Sequence, residues 1–104
     1  MSEVIEVTDP ALLLVSGEKE RDKEYVKKLS NAVLQVLSKH GVARMRCVGA
    51  AALNNATKAY IIANGESQKK GKKLISEESF TIIDFDGNKK TGILKEIKEV
   101  TIEV

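Results

Sequence analysis

The sequence predicts a two-layer α/β domain whose elements run strand, helix, strand, helix, strand, strand. The 104 residues, 42% of them hydrophobic, can close one core and are too few for two. Two segments carry apolar residues at helical spacing, each preceded by a short apolar or alternating run. The C-terminal third is rich in β-formers around an Asp-Gly pair, a hairpin signal. Residues 1–10 read as an acidic arm and residues 11–104 as the domain.

Ala11-Leu12-Leu13-Leu14-Val15, closed by Ser16-Gly17, is too short for a helix and fits a strand covered on both faces or central in a sheet. Val26, Leu29, Val33, Val36 and Leu37 then share one helical face, with Asp22 a candidate N-cap and Gly41 a C-terminal stop. Val42 to Val48 follows, where apolar and basic residues alternate from Ala43 to Cys47 as on a half-buried strand, which places Arg44 and Arg46 on the other face.

Gly49-Ala50-Ala51-Ala52 opens a second helix. Leu53, Ala56, Tyr60 and Ala63 fall on its packing side, Asn54, Asn55, Thr57 and Lys58 on its polar side, and Asn64-Gly65 marks its end. A polar loop from Glu66 to Lys73 precedes the strand Phe80–Phe85, the turn Asp86-Gly87-Asn88 and a last strand from Lys89 toward Val104. In that last strand Ile93 and Ile97 share one parity and Val100, Ile102 and Val104 the other, so a bulge or bend near Lys98-Glu99 is expected.

The sequence points away from catalysis. It has one histidine, His40, no Cys/His cluster for a metal, no Gly-x-Ser-x-Gly and no Walker loop. Glu77-Glu78 and Asp84/Asp86 lack a partner acid, base or metal ligand and read as solvated surface. No cofactor is implied. The one cysteine, Cys47, cannot form an internal disulfide and reads as a small core residue in a reducing compartment. The N-terminal segment has neither a basic flank nor a long apolar run, so no membrane attachment and a cytoplasmic protein are expected, with association to the nucleoid an option.

A net charge of +2 says little by itself; placement matters more. Lys69-Lys70-Gly71-Lys72-Lys73 is the densest charge block, and its glycine lets several ammonium groups meet neighbouring phosphates. Lys89-Lys90, Arg44 and Arg46 would add to it if the fold brought them to one side. The turn at Gly49 runs into an all-alanine helical turn whose N–H groups attract phosphate. The same small residues would also simply permit tight helix-to-sheet packing. Asn54 and Lys58, one turn apart, are placed to bond phosphates or base edges.

The run Val48-Gly49-Ala50-Ala51-Ala52-Leu53-Asn54-Asn55-Ala56-Thr57-Lys58-Ala59, with Ile61-Ile62-Ala63-Asn64-Gly65, resembles the stage V sporulation protein S family. Phe80-Thr81 through Asp86-Gly87 to Thr91 resembles that family's last hairpin. The likeness spans roughly residues 11 to 98. That family is similar in turn to the Alba chromatin proteins. The resemblance implies an Alba-like fold, a four-stranded mixed sheet with two helices on one face, usually dimeric, that binds nucleic acid through loops and a projecting hairpin. It suggests Lys19, Gly49, Asn54, Lys58, Lys69, Lys70, Lys72, Lys73, Lys89 and Lys90 as the nucleic-acid site. Two departures bear on that site: Ala51 stands where the family has a second glycine, and Glu18, Glu20 and Asp22 place acid in the loop after the first strand.

The function expected is a non-catalytic DNA- or RNA-binding homodimer of low sequence specificity, regulatory or architectural and tied to sporulation. Lysines and backbone amides contact phosphates without reading bases, and with 4% aromatic residues there are few platforms for base stacking. The alternative is a dimeric assembly or adaptor protein acting through protein-protein contacts, which predicts exposed apolar residues such as Ile61 and Ile62 on the helices. A small-molecule binder at the Gly49 turn would need a closed pocket.

Overall fold

A computed structural model of the chain describes residues 9–17 and 23–102; the expectations for Lys19 and for Asp22 as a cap fall outside these. The elements are β1 (Leu12–Val15), α1 (Lys23–His40), β2 (Ala43–Cys47), α2 (Ala50–Gln68), β3 (Lys72–Phe85) and β4 (Asn88–Thr101). They form one four-stranded sheet in the order β1-β2-β4-β3, with β1 parallel to β2 and the other pairs antiparallel. This is the mixed sheet and element order expected.

The core follows from the alternation along β2. Ala43, Met45 and Cys47 are buried while Arg44 and Arg46 are half-buried on the opposite face. Val15, Leu74 and Ile97 join them, and Val26, Leu29, Val33 and Leu37 of α1 and Ala52, Ala56, Ala59 and Ala63 of α2 cover them. Helix α1 ends where the sequence indicated: Gly41 adopts φ 78° and its N–H bonds the Leu37 carbonyl at 2.9 Å.

Four expectations are corrected. Strand β1 is not central but at the sheet edge, and Leu14 is 65% exposed, because helices cover only one face of the sheet. Helix α2 does not stop at Asn64-Gly65; it continues to Gln68, and the reversal occurs at Gly71, with φ 77°. Asn64 has another use, since its Oδ1 accepts the Leu74 N–H at 2.8 Å. Strand β3 starts at Lys72 rather than Phe80. It is an edge strand in which most side chains from Lys72 to Ser79 are solvated, so its sequence carries little apolar signal. Finally, the β3–β4 pairing runs in unbroken register from Lys72↔Thr101 to Phe85↔Asn88, without a bulge near Lys98-Glu99. The parity change is a change of face: Ile97 is buried beneath the helices, whereas Val100 and Ile102 lie on the open face.

The hairpin turn is Asp86-Gly87, with φ 49° and 82°; two successive positive values define a type I′ turn, whose twist matches that of the strands. The Asp84 carboxylate accepts the Gly87 N–H at 2.9 Å. The 14-residue strands carry this hairpin well past the helices, and the molecule is 50 Å in its longest dimension.

A Cβ on Gly92 would sit 2.6 Å from the Cys47 carbonyl oxygen, a backbone atom that cannot give way, so Gly92→Ala is expected to cost about 1–3 kcal/mol. Gly65→Ala, facing open space inside α2, should instead gain about 0.5–1 kcal/mol. Urea unfolding of both variants checks this; a Gly92→Ala variant as stable as the parent would show that the sheet is not pinched there.

Candidate nucleic-acid interface

Helix α2 runs diagonally under the sheet because hydrogen bonds fix both of its ends. Near its start, Asn55 is fully buried and its Nδ2 donates to the Ser16 carbonyl at 2.9 Å. The Ser16 N–H donates to the Tyr25 hydroxyl at 2.8 Å, tying the same loop to α1. Toward its end, the Tyr60 hydroxyl donates to the Leu74 carbonyl at 2.8 Å, and Asn64 takes the Leu74 N–H. Asn55 is therefore not on the polar side, as its spacing suggested. It is buried with the small residues Ala52, Ala56, Ala59 and Ala63 of the same helix.

At the head of α2, Gly49 has φ 92° and ψ 159° and no side chain caps the helix. The Gly49 carbonyl accepts the Leu53 N–H at 3.1 Å, which leaves the N–H groups of Ala50, Ala51 and Ala52 as the orphan donors of the first turn. Gly17 packs against this turn; a Cβ there would lie 3.1 Å from the Ala52 nitrogen. Gly49 and Ala50 are exposed, as are Asn54 and Lys58 farther along the helix.

The lysines divide into two groups. Lys69 to Lys73 lie at the end of α2 and the base of the hairpin, whereas Lys89 and Lys90 lie at its tip. The length of β3 sets these groups about 40 Å apart. The Gly49 turn is nearer the tip, since β2 ends with Cys47 beside Ile93. One chain therefore does not gather the predicted cations on one side.

Ion pairing narrows the set further. Lys69 pairs with Glu66 at 3.0 Å and Lys72 with Glu99 at 3.7 Å, the latter carboxylate also accepting from Ser67. Arg44 is engaged by Asp9 at 3.2 Å and Glu96 at 2.9 Å on the open sheet face. Among the described residues, Lys58, Lys70, Lys73, Lys89 and Lys90 have no carboxylate within pairing distance and are exposed. Lys98, exposed on the open face diagonally from Lys73, was not among the residues singled out from sequence. Only the strand register brings those two together.

A different cluster sits where α2 leaves the sheet uncovered. Lys95 is buried and its Nζ donates to both Glu78 oxygens at 2.9 and 3.1 Å, while Ser76 donates to the same carboxylate at 2.7 Å. Burial pushes the Glu78 pKa up, but the bonds from Lys95 and Ser76 together outweigh it and hold it below the usual value. Burial also pushes the neighbouring Cys47 thiol up to about 11, against the opposing charge of Lys95. No group of three or more His, Cys, Asp or Glu among the described residues could hold a metal ion. No described helix is long and apolar enough to cross a membrane.

A family model described as stage V sporulation protein S matches residues 15–100. The chain belongs to this family. Membership gives it a sporulation-related role. The match covers both helices and nearly the whole hairpin, so the Gly49 turn, Asn54 and every lysine group described above lie within it.

Cys47 should react with iodoacetamide at pH 8 about tenfold more slowly, or less, in the folded protein than in urea, because it is buried and protonated; equal rates would contradict its burial. A carboxylate whose folded pKa is depressed stabilises the fold above its unfolded pKa, and that contribution is lost as pH falls through the folded value. Between about pH 5 and 3, Glu78→Gln should therefore lose less stability than the parent chain, as read by urea midpoints across pH.

Proposed function

We propose that this protein is a non-catalytic, homodimeric nucleic-acid-binding protein of low sequence specificity, serving a regulatory or architectural role in sporulation. The observation that carries this reading is the set of exposed, unpaired lysines, Lys58, Lys70, Lys73, Lys89 and Lys90, on the same chain as the uncapped head of α2. Lysines and helix-terminal amides suit phosphate, which supplies affinity and register but no sequence. Asn54 and Gly49 lie at the exposed start of α2, where a backbone phosphate would meet the N–H groups.

Anisotropy of labelled duplex DNA and RNA across a salt series tests the reading. Lys70→Ala/Lys73→Ala should flatten the log-log salt slope on duplex DNA by about 0.9 for each lost contact. Lys69→Ala/Lys72→Ala should flatten it less, because those ammonium groups are already shared with Glu66 and Glu99. Absence of binding to any probe at low salt would overturn the proposal.

The adaptor reading has one observation in its favour. Ile61 is 61% exposed on α2, and Ile62 is also exposed. It requires that a protein partner bind this flank and that nucleic acid not bind at all.

A further inference from the structure

The hairpin leaves the outer edge of β3 open, and Leu74 and the turn at Asp86-Gly87 set its limits. The Leu74 N–H and carbonyl bond Asn64 and Tyr60, so both point away from β4. In an antiparallel pair alternate residues face alternate sides, and those of the same parity as Leu74 therefore also face outward. These are Ser76, Glu78, Phe80, Ile82 and Asp84, and among the described residues their main-chain groups have no partner. The α2 clamp at Leu74 closes one end of this edge and the turn at Asp86-Gly87 closes the other. Its midpoint is Phe80, 81% exposed, followed on the same side by Ile82 at 66%. A long, partly apolar free edge is a template for another strand.

We propose that the occupant is a second copy of this chain, with β3 paired antiparallel to β3 about a two-fold axis at Phe80. This specifies the homodimer of the preceding section and rests on that part of it, not on nucleic-acid binding. The edge between its two stops is symmetric about Phe80, as an isologous contact requires. Residue 76 then pairs with 84, residue 78 with 82, and Phe80 with itself, giving about ten main-chain hydrogen bonds. The outward side chains pair as Ser76 with Asp84, Glu78 with Ile82 and Phe80 with Phe80, with no like charges opposed. Centring one residue later, on Thr81, sets Glu78 against Asp84 twice. Centring one residue earlier, on Ser79, demands the Leu74 groups that Asn64 and Tyr60 already hold.

The arrangement has a consequence for charge. Pairing Asp84 with Ser76 of the partner subunit lays the hairpin tip of one copy alongside the hairpin base of the other. Lys89 and Lys90, about 40 Å from Lys73 in their own chain, come to about 15 Å from Lys73 of the second copy. Two composite basic surfaces result, each uniting Lys90 of one tip with Lys73 and Lys98 of the other base on the open face, with Lys89 on the opposite face of the tip.

Cross-linking tests the register without nucleic acid. Under a short bis-maleimide, Phe80→Cys should couple to itself. Ser76→Cys and Asp84→Cys should each fail to self-couple but couple when mixed. Native Cys47 is buried and serves as an internal negative control. Ile82→Pro removes an outward N–H that the β4 ladder does not use, so it should keep its circular dichroism and raise the dimer dissociation constant by about tenfold or more. A wild-type chain monomeric by light scattering at about 0.1 mM would overturn the proposal and the homodimer together. A dimer that Ile82→Pro leaves intact, or in which Ser76→Cys and Asp84→Cys do not couple when mixed, would overturn the edge pairing alone.

Discussion

The placement of α2, packed closely on α1 and tied to both edges of the sheet, is the constraint on which the rest of the structure depends. Alanines at 52, 56, 59 and 63 are buried in the core that α2 shares with α1 and the sheet, and larger residues there would force these layers apart. Because the seam is small, polar side chains fix the helix along its length. Asn55 bonds Ser16 beside β1, and Tyr60 and Asn64 bond Leu74 on β3, so α2 spans the sheet from one edge strand to the other. Each of these bonds is worth about 0.5–1.5 kcal/mol net. Their larger effect is positional: they expose the uncapped head of the helix and leave β3 free beyond Leu74.

The same tie explains the charge pattern. Where α2 ends, Glu66 and Glu99 hold Lys69 and Lys72, while Lys70 and Lys73 remain unpaired. At the hairpin tip Asp84, opposite Lys89, turns its carboxylate to the Gly87 N–H, and Lys89 and Lys90 stay solvated. Surface pairs of this kind contribute little stability, so pairing decides availability for a polyanion more than it decides folding. A low net charge is therefore compatible with separate basic surfaces.

Much of the fold was legible because its signals are local. The alternation of Ala43 to Cys47, the helical spacing of Val26 to Leu37, and Asp86-Gly87 each report directly on backbone geometry. Misreadings arose where tertiary contacts reassigned a residue. Asn64 looked like a helix stop but is a hydrogen-bond acceptor for an edge strand, and Asn55 looked solvated but fills a core position. The first half of β3 was invisible because an exposed edge strand need not be apolar. For the site, exposure of Asn54, Lys58 and the lysine groups was legible. Which lysines carry carboxylate partners, and how far apart the groups lie, depend on register over the whole hairpin and were not.

Mixing two damaged chains tests most directly the proposal that nucleic acid binds a surface shared by two chains. A Lys70→Ala/Lys73→Ala chain and a Lys89→Ala/Lys90→Ala chain each damage both composite surfaces of their own dimers. A mixed dimer keeps one surface whole, the intact tip of the first chain beside the intact base of the second. Duplex DNA should therefore bind an equimolar, re-equilibrated mixture more tightly than it binds either variant alone. An affinity midway between the two, with no gain on mixing, would contradict a shared surface.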